Sequence, residues 1–440
     1  MYYILERLQT NTKEFMNITV IGTGFVGVVS AAVYASFGNQ VIGLDIDERK
    51  IASLRNGQVP FFEPELENLL LSQQKKGNLS FTTDYETAIS NAEIIIIAVG
   101  TPSAADETAD LKFVFASAKS MAPYLQDNAI VAIKSTVPPT TLERTMEIIH
   151  QVSNAKVYGA SLPEFLREGS AVHDTLHPDR IVIGSDNVFV RQTLEQLHAP
   201  LQAPIIHCSV ASAQMAKYTA NAYLATRITF INEIANLCEK NGADINQVID
   251  AIGHDKRIGP HYWYPGLGYG GSCFPKDVKE LAAYSRSIGE DGNLLNHVNK
   301  INKERIPRLM QRFADGVGGF EGKKVAVLGI AFKPNTDDTR EAPALRIVPA
   351  LIEAGATVQS FDPMAKFQEE LPGHQQKTDL AAACEDADVI MTLVEWPEIN
   401  HFDYQDVRNE AKQQYFIDCR NQFDAEEITQ QGYKYIGIGK

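Results

Sequence analysis

The sequence predicts an α/β fold in which two doubly wound sheets flank a central helical segment. Short β-rich runs alternate with amphipathic helical stretches from Met16 to about Cys208. One uninterrupted helical pattern, rich in Ala, Leu and Ile, then runs from Val210 to Asn241. A second alternation of strands and helices starts at KKVAVLGIAFK and continues to the C-terminus. Such alternation is typical of parallel sheets that are covered by helices on both faces.

The chain has 440 residues, enough for two or three domains, because a single hydrophobic core stops growing near roughly 250–300 residues. Hydrophobic residues make up 44% and charged residues 22%, as in an ordinary globular protein. No apolar run approaches the ~20 residues that cross a bilayer. The net charge is −15 without an offsetting basic stripe. We therefore expect neither membrane insertion nor nucleic acid as a partner.

The first fifteen residues lack the basic and apolar regions of a secretory signal, so we expect the fold to begin near Met16. The cysteines are scattered and odd in number, without the spacing of metal ligands: Cys208, Cys238, Cys273, Cys384 and Cys419. This pattern predicts a reducing compartment, the cytoplasm, and no metal site.

The elements suggest three domains, with bounds at residues 16–208, 209–312 and 313–440. Strands of the first are predicted in ITVIG, QVIGLD, AEIIIIAVG, AIVAIKS, RIVIG and PIIHCS. The central helix, capped by Gly242, would be about 45 Å long, and we interpret it as a spine that joins domains and subunits. Strands of the third are predicted in TVQSFDP, DVIMTLVEW and QYFIDCR. Each sheet repeats one order: strand, glycine turn, helix, then a strand followed by an aspartate, Asp45 or Asp362.

A dinucleotide site is predicted in ITVIGTGFVG, where Gly22, Gly24 and Gly27 follow a strand and open a helix. In G-x-G-x-x-G turns the glycines allow the tight turn, the approach of a pyrophosphate and helix–strand packing. The pattern alone also occurs as a plain strand-to-helix turn. Asp45, 21 residues after Gly24, favours the cofactor interpretation because its carboxylate suits ribose hydroxyls and repels a 2′-phosphate. The first domain is thus predicted to be Rossmann-like and to prefer NAD over NADP.

Two further turns, VGTPS with Thr101 and KSTVPP with Thr136, follow core strands at the sheet edge where ligands of such folds lie. Simple turn chemistry is the alternative explanation. On the central helix, Lys217 and Asn221 are four residues apart and share one face. A solvated polar stripe would explain them, but their apolar neighbours favour inward-facing groups that need a partner. An alkoxide or oxyanion would be such a partner.

The stretch GGSCFPKD places Cys273 beside the start of a helix, because Pro275 suits a first helical turn. A helix N-terminus and a nearby lysine favour thiolate over thiol, and flanking glycines leave room for a ligand. We therefore predict a nucleophilic thiol here. The other four cysteines are expected to be inert.

Together these segments resemble the UDP-glucose dehydrogenase family, within the wider group of NAD-dependent nucleotide-sugar 6-dehydrogenases. The resemblance covers essentially everything after Met16. Its markers are GTGFVG, KSTVPP, PEFLREGSA with HPDRIVIG, KYTANAYL, RIGPHYWYPGLGYGGSCFPKDV, GIAFKPNTDDTRE and LVEWPE. It implies a homodimer that oxidises a sugar C6 alcohol to a carboxylate in two hydride transfers to NAD, supplying UDP-glucuronate as a polysaccharide precursor.

The resemblance assigns the chemistry to six residues: Cys273, Lys217, Asn221, Asp277, Glu164 and Thr136. The cysteine would carry a thiohemiacetal and then a thioester. The lysine and asparagine would stabilise oxyanions, the aspartate would move protons, and the glutamate and threonine would position the hydrolytic water.

Further contacts are implied in the same way. Those to NAD are Gly22, Gly24, Phe25, Val26, Gly27, Asp45, Lys50, Thr101, Thr136, Glu168, Lys276 and Arg340. Those to the nucleotide sugar are Glu164, Phe165, Leu166, Arg167, Glu168, Lys217, Asn221, Arg257, Tyr262, Trp263, Tyr264, Pro265, Gly266, Gly270 and Lys333. Arg257 is implied to reach the substrate of the partner subunit.

Three positions depart from the family pattern. Leu162 stands where most members have asparagine, while Thr140 and Cys419 stand where they have glycine. Other functions also compete: oxidation of GDP-mannose or of a UDP-N-acetylhexosamine, non-catalytic sensing of nucleotide sugars, and two-electron hydroxyacid oxidation. GGSCFPKD fits the glucose and GDP-mannose branches better than the GGHC form of the N-acetyl sugars. The set of Cys273, Lys217 and Asn221 argues against non-catalytic sensing, and the cysteine argues against two-electron hydroxyacid oxidation.

Overall fold

The computed structural model describes residues 15–440, which divide into two compact units. The first unit contains residues up to 104 together with 109–217, and the second contains residues 105–108 and 218–440. Most of the leader expected before Met16 lies outside the described residues.

The first unit is built on an eight-stranded sheet with the order β3-β2-β1-β4-β5-β6-β7-β8. Its strands are β1 (Asn17–Ile21), β2 (Gln40–Leu44), β3 (Leu79–Thr82), β4 (Ile94–Ile97), β5 (Ile130–Ile133), β6 (Tyr158–Ser161), β7 (Ile181–Gly184) and β8 (Ile205–Cys208). In the register of the sheet, Ile18 of β1 lies opposite Val41 on one side and Ile94 on the other. The chain order reverses beside β1, at the carboxyl edge where doubly wound folds bind ligands.

Eight helices cover this sheet: α1 (Phe25–Ser36), α2 (Glu48–Arg55), α3 (Leu66–Lys75), α4 (Tyr85–Ile89), α5 (Lys112–Met121), α6 (Thr141–Val152), α7 (Ala171–Leu176) and α8 (Val188–His198). Successive β4 residues belong to different apolar clusters: Ile94 and Ile96 to one, Ile95 and Ile97 to the other. Both faces of the sheet are therefore buried, as the unbroken run of isoleucines predicts.

The last two strands depart from the expected parallel sheet. Strand β7 pairs antiparallel with β6, with Ser161 opposite Gly184, and β8 is parallel to β7. The intervening helix α7 has only six residues, about 9 Å at 1.5 Å per residue. Such a short helix does not return the chain to the edge of the sheet at which β1 to β6 begin. Strand β7 therefore begins at the edge where β6 ends and runs in the opposite direction.

Helix α9 (Val210–Asn241) has 32 residues and confirms the predicted long central helix. Gly242 follows it at a φ of +79°, as expected of a C-terminal cap. The boundary between the two units falls between Lys217 and Tyr218, inside this helix.

The second unit continues with α10 (Ile245–Gly253), α11 (Phe274–Ser287) and α12 (Asn293–Val317). The predicted domain boundary at residue 312 lies inside α12. A glycine-rich connection, residues 254–273, joins α10 to α11 and contains seven of the fifteen predicted substrate residues.

A six-stranded parallel sheet with the order β11-β10-β9-β12-β13-β14 follows. Its elements are β9 (Lys324–Leu328), α13 (Ala344–Glu353), β10 (Thr357–Phe361), β11 (His374–Gln376), α14 (Leu380–Cys384), β12 (Val389–Thr392), α15 (Pro397–Asn400), β13 (Tyr415–Asp418), α16 (Ala425–Gln430) and β14 (Lys434–Ile436). Its apolar core includes Ile231 and Ala235 from α9. The predicted fold class, two doubly wound sheets with a helical centre, is confirmed.

Candidate active site

The turn between β1 and α1 has the geometry of a pyrophosphate site. Gly22 has a φ of +94°, and a Cβ there would meet the carbonyl oxygen of Ala98 at 2.7 Å. A Cβ on Gly27 would collide with the carbonyl group of Gly22, whereas one on Gly24 would meet nothing within 4 Å. The first turn of α1 contains no acidic residue. A helix N-terminus without acidic side chains and with open space beside Gly24 suits an anion.

Asp45 follows β2 at the same edge of the sheet. One carboxylate oxygen accepts hydrogen bonds from the N–H and hydroxyl of Thr23, at 2.8 and 2.9 Å. The other accepts from the N–H of Asp47 at 3.0 Å, and the ammonium of Lys50 lies 3.9 Å from the oxygen that Thr23 contacts. These contacts fix the carboxylate beside the glycine turn. The residues fit the adenosine diphosphate half of NAD.

The two other turns of this edge are tied together. The hydroxyl of Thr101 donates to the carbonyl of Thr136 at 2.9 Å, and that of Ser135 donates to the carbonyl of Val99 at 2.6 Å. The threonine and serine hydroxyls thus hold the loops after β4 and β5 against each other. Their predicted cofactor and catalytic roles stay predictions.

Glu164 and Lys217 form a buried ion pair in the first unit, with 2.8 Å between the ammonium and one carboxylate oxygen. Their side chains are 9% and 5% exposed. The other oxygen of Glu164 accepts from the N–H of Leu166 at 2.8 Å. The partner that the sequence demanded for an inward-facing amine is therefore a carboxylate.

The predicted substrate loop of the first unit, residues 164–168, is held by contacts of its side chains with neighbouring residues. The ring of Phe165 lies 3.6 Å from the guanidinium carbon of Arg180 and 5.6 Å from the ammonium of Lys217. Arg167 forms an ion pair with Asp174 at 2.8 Å, and Glu168 is half-buried. Cationic and acidic side chains thus alternate around the loop, and two cations lie near the ring of Phe165.

Glu63 anchors the end of this loop from the segment before α3. Its carboxylate accepts from the N–H groups of Gly169 and Ala171, both at 2.6 Å, and it is 6% exposed. Two short charge-assisted hydrogen bonds to this buried carboxylate hold the backbone at Gly169 and Ala171 in place. Glu63 is not among the residues that the sequence analysis singled out.

Lys134 is a further buried cation, and its pKa responds to the ion pair of Lys217 and Glu164. It follows β5 directly and is 7% exposed. Burial lowers its pKa to about 8, and the ammonium of Lys217 acts in the same direction, while the carboxylate of Glu164 opposes it. The sequence signal was a lysine directly after the apolar run AIVAI, in the segment KSTVPP from which only Thr136 was predicted to have a role.

In the second unit, Cys273 is exposed and forms the N-cap of α11, with Pro275 in the first turn. Its sulfur lies 3.5 Å from the hydroxyl oxygen of Ser272. The N–H of Asp277 donates to the carbonyl of Cys273 at 2.8 Å and closes the first helical turn. The predicted position of the thiol at a helix N-terminus is thus observed, and the other four cysteines are buried or half-buried.

Asp277 is 1% exposed and contacts Asn221, a predicted catalytic residue, and Lys276, a predicted cofactor contact. One of its oxygens accepts from the amide of Asn221 at 2.5 Å, and the other lies 2.6 Å from the ammonium of Lys276. The asparagine amide is therefore held by the carboxylate, with its second N–H available for another acceptor.

Glu280 extends this network one helical turn further. Its carboxylate lies 3.2 Å from Lys276 and accepts from the hydroxyl of Tyr218 at 2.9 Å. Burial raises the pKa of Glu280 despite the nearby lysine. Burial also opposes the charge of Lys276, but Asp277 and Glu280 outweigh it and raise the pKa of this ammonium. Sequence reasoning missed Glu280 and Tyr218, because neither lies in a spacing that signals chemistry.

The remaining substrate and cofactor residues of the second unit lie around the glycine-rich connection. Trp263 donates to the carbonyl of Gly259 at 2.9 Å, and the ring of Tyr262 contacts that of Tyr264 at 5.6 Å. A Cβ on Gly270 would collide with the carbonyl group of Glu341. Backbone approach, rather than ligand approach alone, thus explains this glycine.

Three predicted cationic contacts remain. Arg257 and Arg340 pair with Asp255 and Asp338 at 2.6 and 2.7 Å, and their side chains are 89% and 64% exposed. The ammonium of Lys333 lies 5.6 Å from the ring of Phe332. Exposed ion pairs contribute little to stability, so a phosphate can replace the carboxylates.

The three departures from the family pattern have different surroundings. Leu162 is 1% exposed within an apolar cluster, and its N–H donates to the carbonyl of Ile133 at 2.8 Å. Thr140 has a φ of +75°, a conformation that favours glycine. Cys419 is fully buried. The thiol of Cys419 is therefore a packing group, while Thr140 holds a strained backbone.

Within residues 15–440, no group of three or more His, Cys, Asp or Glu side chains is arranged to hold a metal ion. None of the helices in this part of the chain combines the length and the apolar character of a membrane span.

Comparison with known proteins matches three models of one family in order along the chain. The NAD binding domain of the UDP-glucose/GDP-mannose dehydrogenase family matches residues 16–202, its central domain 211–304 and its UDP binding domain 326–425. The prediction of NAD as cofactor is confirmed at this level.

Relatives agree over nearly the full length. The UDP-glucose 6-dehydrogenase TuaD of Bacillus subtilis is 43% identical over 428 residues, 96% of this chain and 93% of that protein. The UDP-glucose 6-dehydrogenase of Rhizobium meliloti is 40% identical over 97% of this chain and 100% of that protein. A solved UDP-glucose dehydrogenase from Pyrobaculum islandicum is 34% identical, covers 96% of this chain and 98% of its own, and has a TM-score of 0.88. The chain belongs to the UDP-glucose/GDP-mannose dehydrogenase family.

Proposed function

We propose that this chain is an NAD-dependent UDP-glucose 6-dehydrogenase, which oxidises the C6 alcohol to the carboxylate of UDP-glucuronate, a polysaccharide precursor. The observation that carries the proposal is an exposed thiol, Cys273, one helical turn before the buried carboxylate of Asp277. Nucleophile and proton-transfer group thus come from one rigid helix start. The relatives named UDP-glucose 6-dehydrogenase support the choice of substrate.

The first oxidation converts the alcohol to an aldehyde. The chemistry that NAD would supply when bound is the acceptance of one hydride from C6 in each of the two oxidations. The hydroxyl proton passes to Asp277 directly or through one water molecule. The ammonium of Lys217 and the second N–H of Asn221 stabilise negative charge on the sugar oxygen as the proton leaves.

The thiolate of Cys273 then attacks the aldehyde carbon and forms a C–S bond while the carbonyl oxygen takes the proton back from Asp277, giving a thiohemiacetal. Loss of the second hydride and of the hydroxyl proton converts this adduct to a thioester. A water molecule positioned by Glu164 and Thr136 attacks the thioester, the C–S bond breaks, and the thiol is regenerated. The alcohol loses four electrons, so each sugar yields two molecules of NADH.

We also propose a division of labour along the chain. Residues 16–208 bind NAD, residues 209–312 carry the catalytic cysteine and the subunit contacts, and residues 313–440 bind the nucleotide sugar. The order of the three family models supports this division.

The experiment that tests the function measures NADH release with limiting UDP-glucose, and then with GDP-mannose and UDP-N-acetylhexosamines. We expect a ratio of two NADH per UDP-glucose and a far lower kcat/KM for the other sugars. A preference for GDP-mannose or an N-acetyl sugar would replace the substrate assignment within the same family. One NADH per sugar, with aldehyde as product, would overturn the cysteine mechanism.

We propose that the working form is a homodimer in which α9 supplies the contact. Tyr223, Phe230 and Leu237 recur every seven residues on this helix and are 59%, 51% and 57% exposed. Large apolar side chains in a line at this spacing suit a helix–helix contact between subunits. In this proposal Arg257 reaches the substrate of the partner subunit.

Sedimentation of the wild type and of Leu237→Glu tests the dimer. We expect a wild-type dimer and a weakened variant, whereas Phe113→Glu, a change at a 41% exposed position in the first unit, should behave as wild type. A monomeric wild type at assay concentration would exclude the dimer.

The five free cysteines support a cytoplasmic location for the enzyme.

A further inference from the structure

The glycine-rich connection before Cys273 is held by polar side chains from two helices. Asn232 of α9 accepts a hydrogen bond from the N–H of Gly266 at 2.8 Å. Arg305 of α12 donates to the carbonyl of the same residue, also at 2.8 Å. Both backbone polar groups of Gly266 are thus satisfied from outside the loop.

Three residues later the same arrangement is repeated by a single side chain. The amide oxygen of Asn302 accepts from the N–H of Tyr269 at 2.9 Å, and its nitrogen donates to the carbonyl of Tyr269 at 3.0 Å. One asparagine therefore pairs with both polar groups of one residue, as a neighbouring strand would. We call the two arrangements the Gly266 clamp (Asn232 and Arg305) and the Tyr269 clamp (Asn302).

The side chain of Arg305 in the Gly266 clamp also forms hydrogen bonds with helix α9. Arg305 is 3% exposed, and one of its terminal nitrogens donates to the side chain of Asn236 at 2.5 Å and to the carbonyl of Asn232 at 3.3 Å. Burial lowers the pKa of Arg305 to about 10. A buried cation is costly unless it is hydrogen-bonded. The loop carbonyl is one of its acceptors, so the loop conformation and this network depend on each other.

The glycines of the loop fit this explanation. Gly268 has a φ of +94°, and a Cβ on it would collide with the amide oxygen of Asn302. A Cβ on Gly266 would come within 2.9 Å of the carbonyl oxygen of Cys419. These two glycines therefore allow side chains and backbone of the protein itself to approach the loop. Glycine-rich loops lose much conformational entropy on ordering, so external hydrogen bonds are needed to hold one conformation.

We propose that Asn302 and the Asn232–Arg305 pair are positioning residues, which hold residues 262–273 in the conformation that binds the nucleotide sugar and presents Cys273. The proposal rests on the proposed function, because the substrate contacts of Tyr262 to Gly266 and Gly270 are part of it. None of the clamp side chains touches the reacting atoms in this proposal. They act through the loop backbone.

The test compares Asn302→Ala and Asn232→Ala with the wild type and with Asn296→Ala. Asn296 lies on α12 as well but bonds to Arg286 and to the carbonyl of Asp291 instead of the loop. Each clamp variant loses one or two loop hydrogen bonds, so the KM for UDP-glucose should rise about tenfold. The KM for NAD and all constants of Asn296→Ala should stay near wild type.

Two measurements separate positioning from a loss of folded protein. A purely structural role would lower Tm and the amount of titratable Cys273 thiol while the KM for UDP-glucose of the surviving enzyme stayed unchanged. Hydrogen exchange of the peptide spanning residues 266–273, measured without ligand, should accelerate in both clamp variants and not in Asn296→Ala.

The outcomes decide between the two proposals. If the wild type does not oxidise UDP-glucose, the proposed function fails, and exchange in the ligand-free enzyme still decides whether the clamps hold the loop. If the wild type is active but both clamp variants keep its KM and its exchange rates, the clamp proposal is overturned. If a clamp variant does not fold, the other decides by the same KM and exchange criteria.

Discussion

The ammonium of Lys217 lies 2.8 Å from the carboxylate of Glu164, and both side chains are almost fully buried. Removing one partner of such a pair leaves the other charge uncompensated, which costs about 3–5 kcal/mol. In the proposed mechanism, the pair therefore couples the chemistry of the site to the stability of the first unit.

We predict that Lys217→Ala lowers kcat by about two to three orders of magnitude, since an oxyanion donor is lost. Its free energy of unfolding should fall by about 3 kcal/mol. The double variant Lys217→Met with Glu164→Gln should regain most of that stability without regaining activity. Initial rates and urea unfolding measure the two effects. Lys112→Ala, which removes an exposed ion pair with Asp110, serves as control. A fully active Lys217→Ala would contradict the assigned role.

For the nucleophile we predict that Cys273→Ala binds UDP-glucose and NAD but forms neither adduct nor acid. Cys273→Ser should also bind both and make almost no acid, because an oxygen ester is hydrolysed less readily than a thioester; a retained sugar adduct would appear in the intact mass. Cys238→Ala should remain active. Wild-type turnover by Cys273→Ala would refute the covalent mechanism.

Cofactor choice should depend on Asp45, whose carboxylate is fixed by Thr23 and Asp47. We expect kcat/KM for NAD to exceed that for NADP at least about tenfold, or ~1.4 kcal/mol. Asp45→Asn should narrow this difference, because a neutral amide does not repel a 2′-phosphate. Asp47→Asn, at the neighbouring N-cap of α2, should leave it unchanged. Equal use of both cofactors by the wild type would overturn the role of Asp45.

Lys134 should give the stability of the first unit a dependence on alkaline pH. Burial lowers the pKa of this lysine to about 8 from 10.5 in the unfolded chain. The unfolded state therefore binds more protons between these values, and stability rises with pH across this window. Relative to Lys134→Met, the wild type should gain about 3 kcal/mol between pH 7.5 and 10.5.

Chemical unfolding of both proteins at several pH values measures this difference, with the exposed-site variant Lys112→Met as control. A constant difference between wild type and Lys134→Met across the window would show that Lys134 does not titrate there.

Thr140 is a β-branched residue at a φ of +75° directly before α6. A left-handed backbone conformation costs an L-residue roughly 1–2 kcal/mol. Glycine avoids this cost, but its greater freedom in the unfolded chain offsets part of the gain in stability. Thr140→Gly should therefore raise the free energy of unfolding by up to about 1 kcal/mol. Thr141→Gly, one residue later inside the helix, should lower it. A loss of stability in Thr140→Gly would show that the threonine side chain makes a compensating contact.

Sequence reasoning reached the fold because its signals are local. Glycine and proline mark the starts and ends of helices through their own backbone requirements. Examples are the turn at Gly22, the helix cap at Gly242 and Pro275 at the start of α11. It did not reach the reversed direction of β7, since strand direction depends on the length of α7 and leaves no mark in β7 itself.

The position of a candidate site residue in the fold was predictable where the residue lies in a local motif, as Asp45 and Cys273 do. Glu63 was missed because its partners, Gly169 and Ala171, are more than a hundred positions away and offer only backbone N–H groups. Tertiary contacts of this kind leave no periodicity. Asn302 and Asn232 escaped for the same reason.

The continuity of α9 constrains how the length of the chain can change. An α-helix turns about 100° per residue, so one inserted residue between Lys217 and Asn221 would move the asparagine off the face that it shares with the lysine. The carboxylate partners of these two residues, Glu164 and Asp277, lie far away in the chain and would not follow that rotation. Insertions and deletions should therefore be tolerated in exposed turns such as residues 289–292 and be absent between positions 217 and 221 in any active variant.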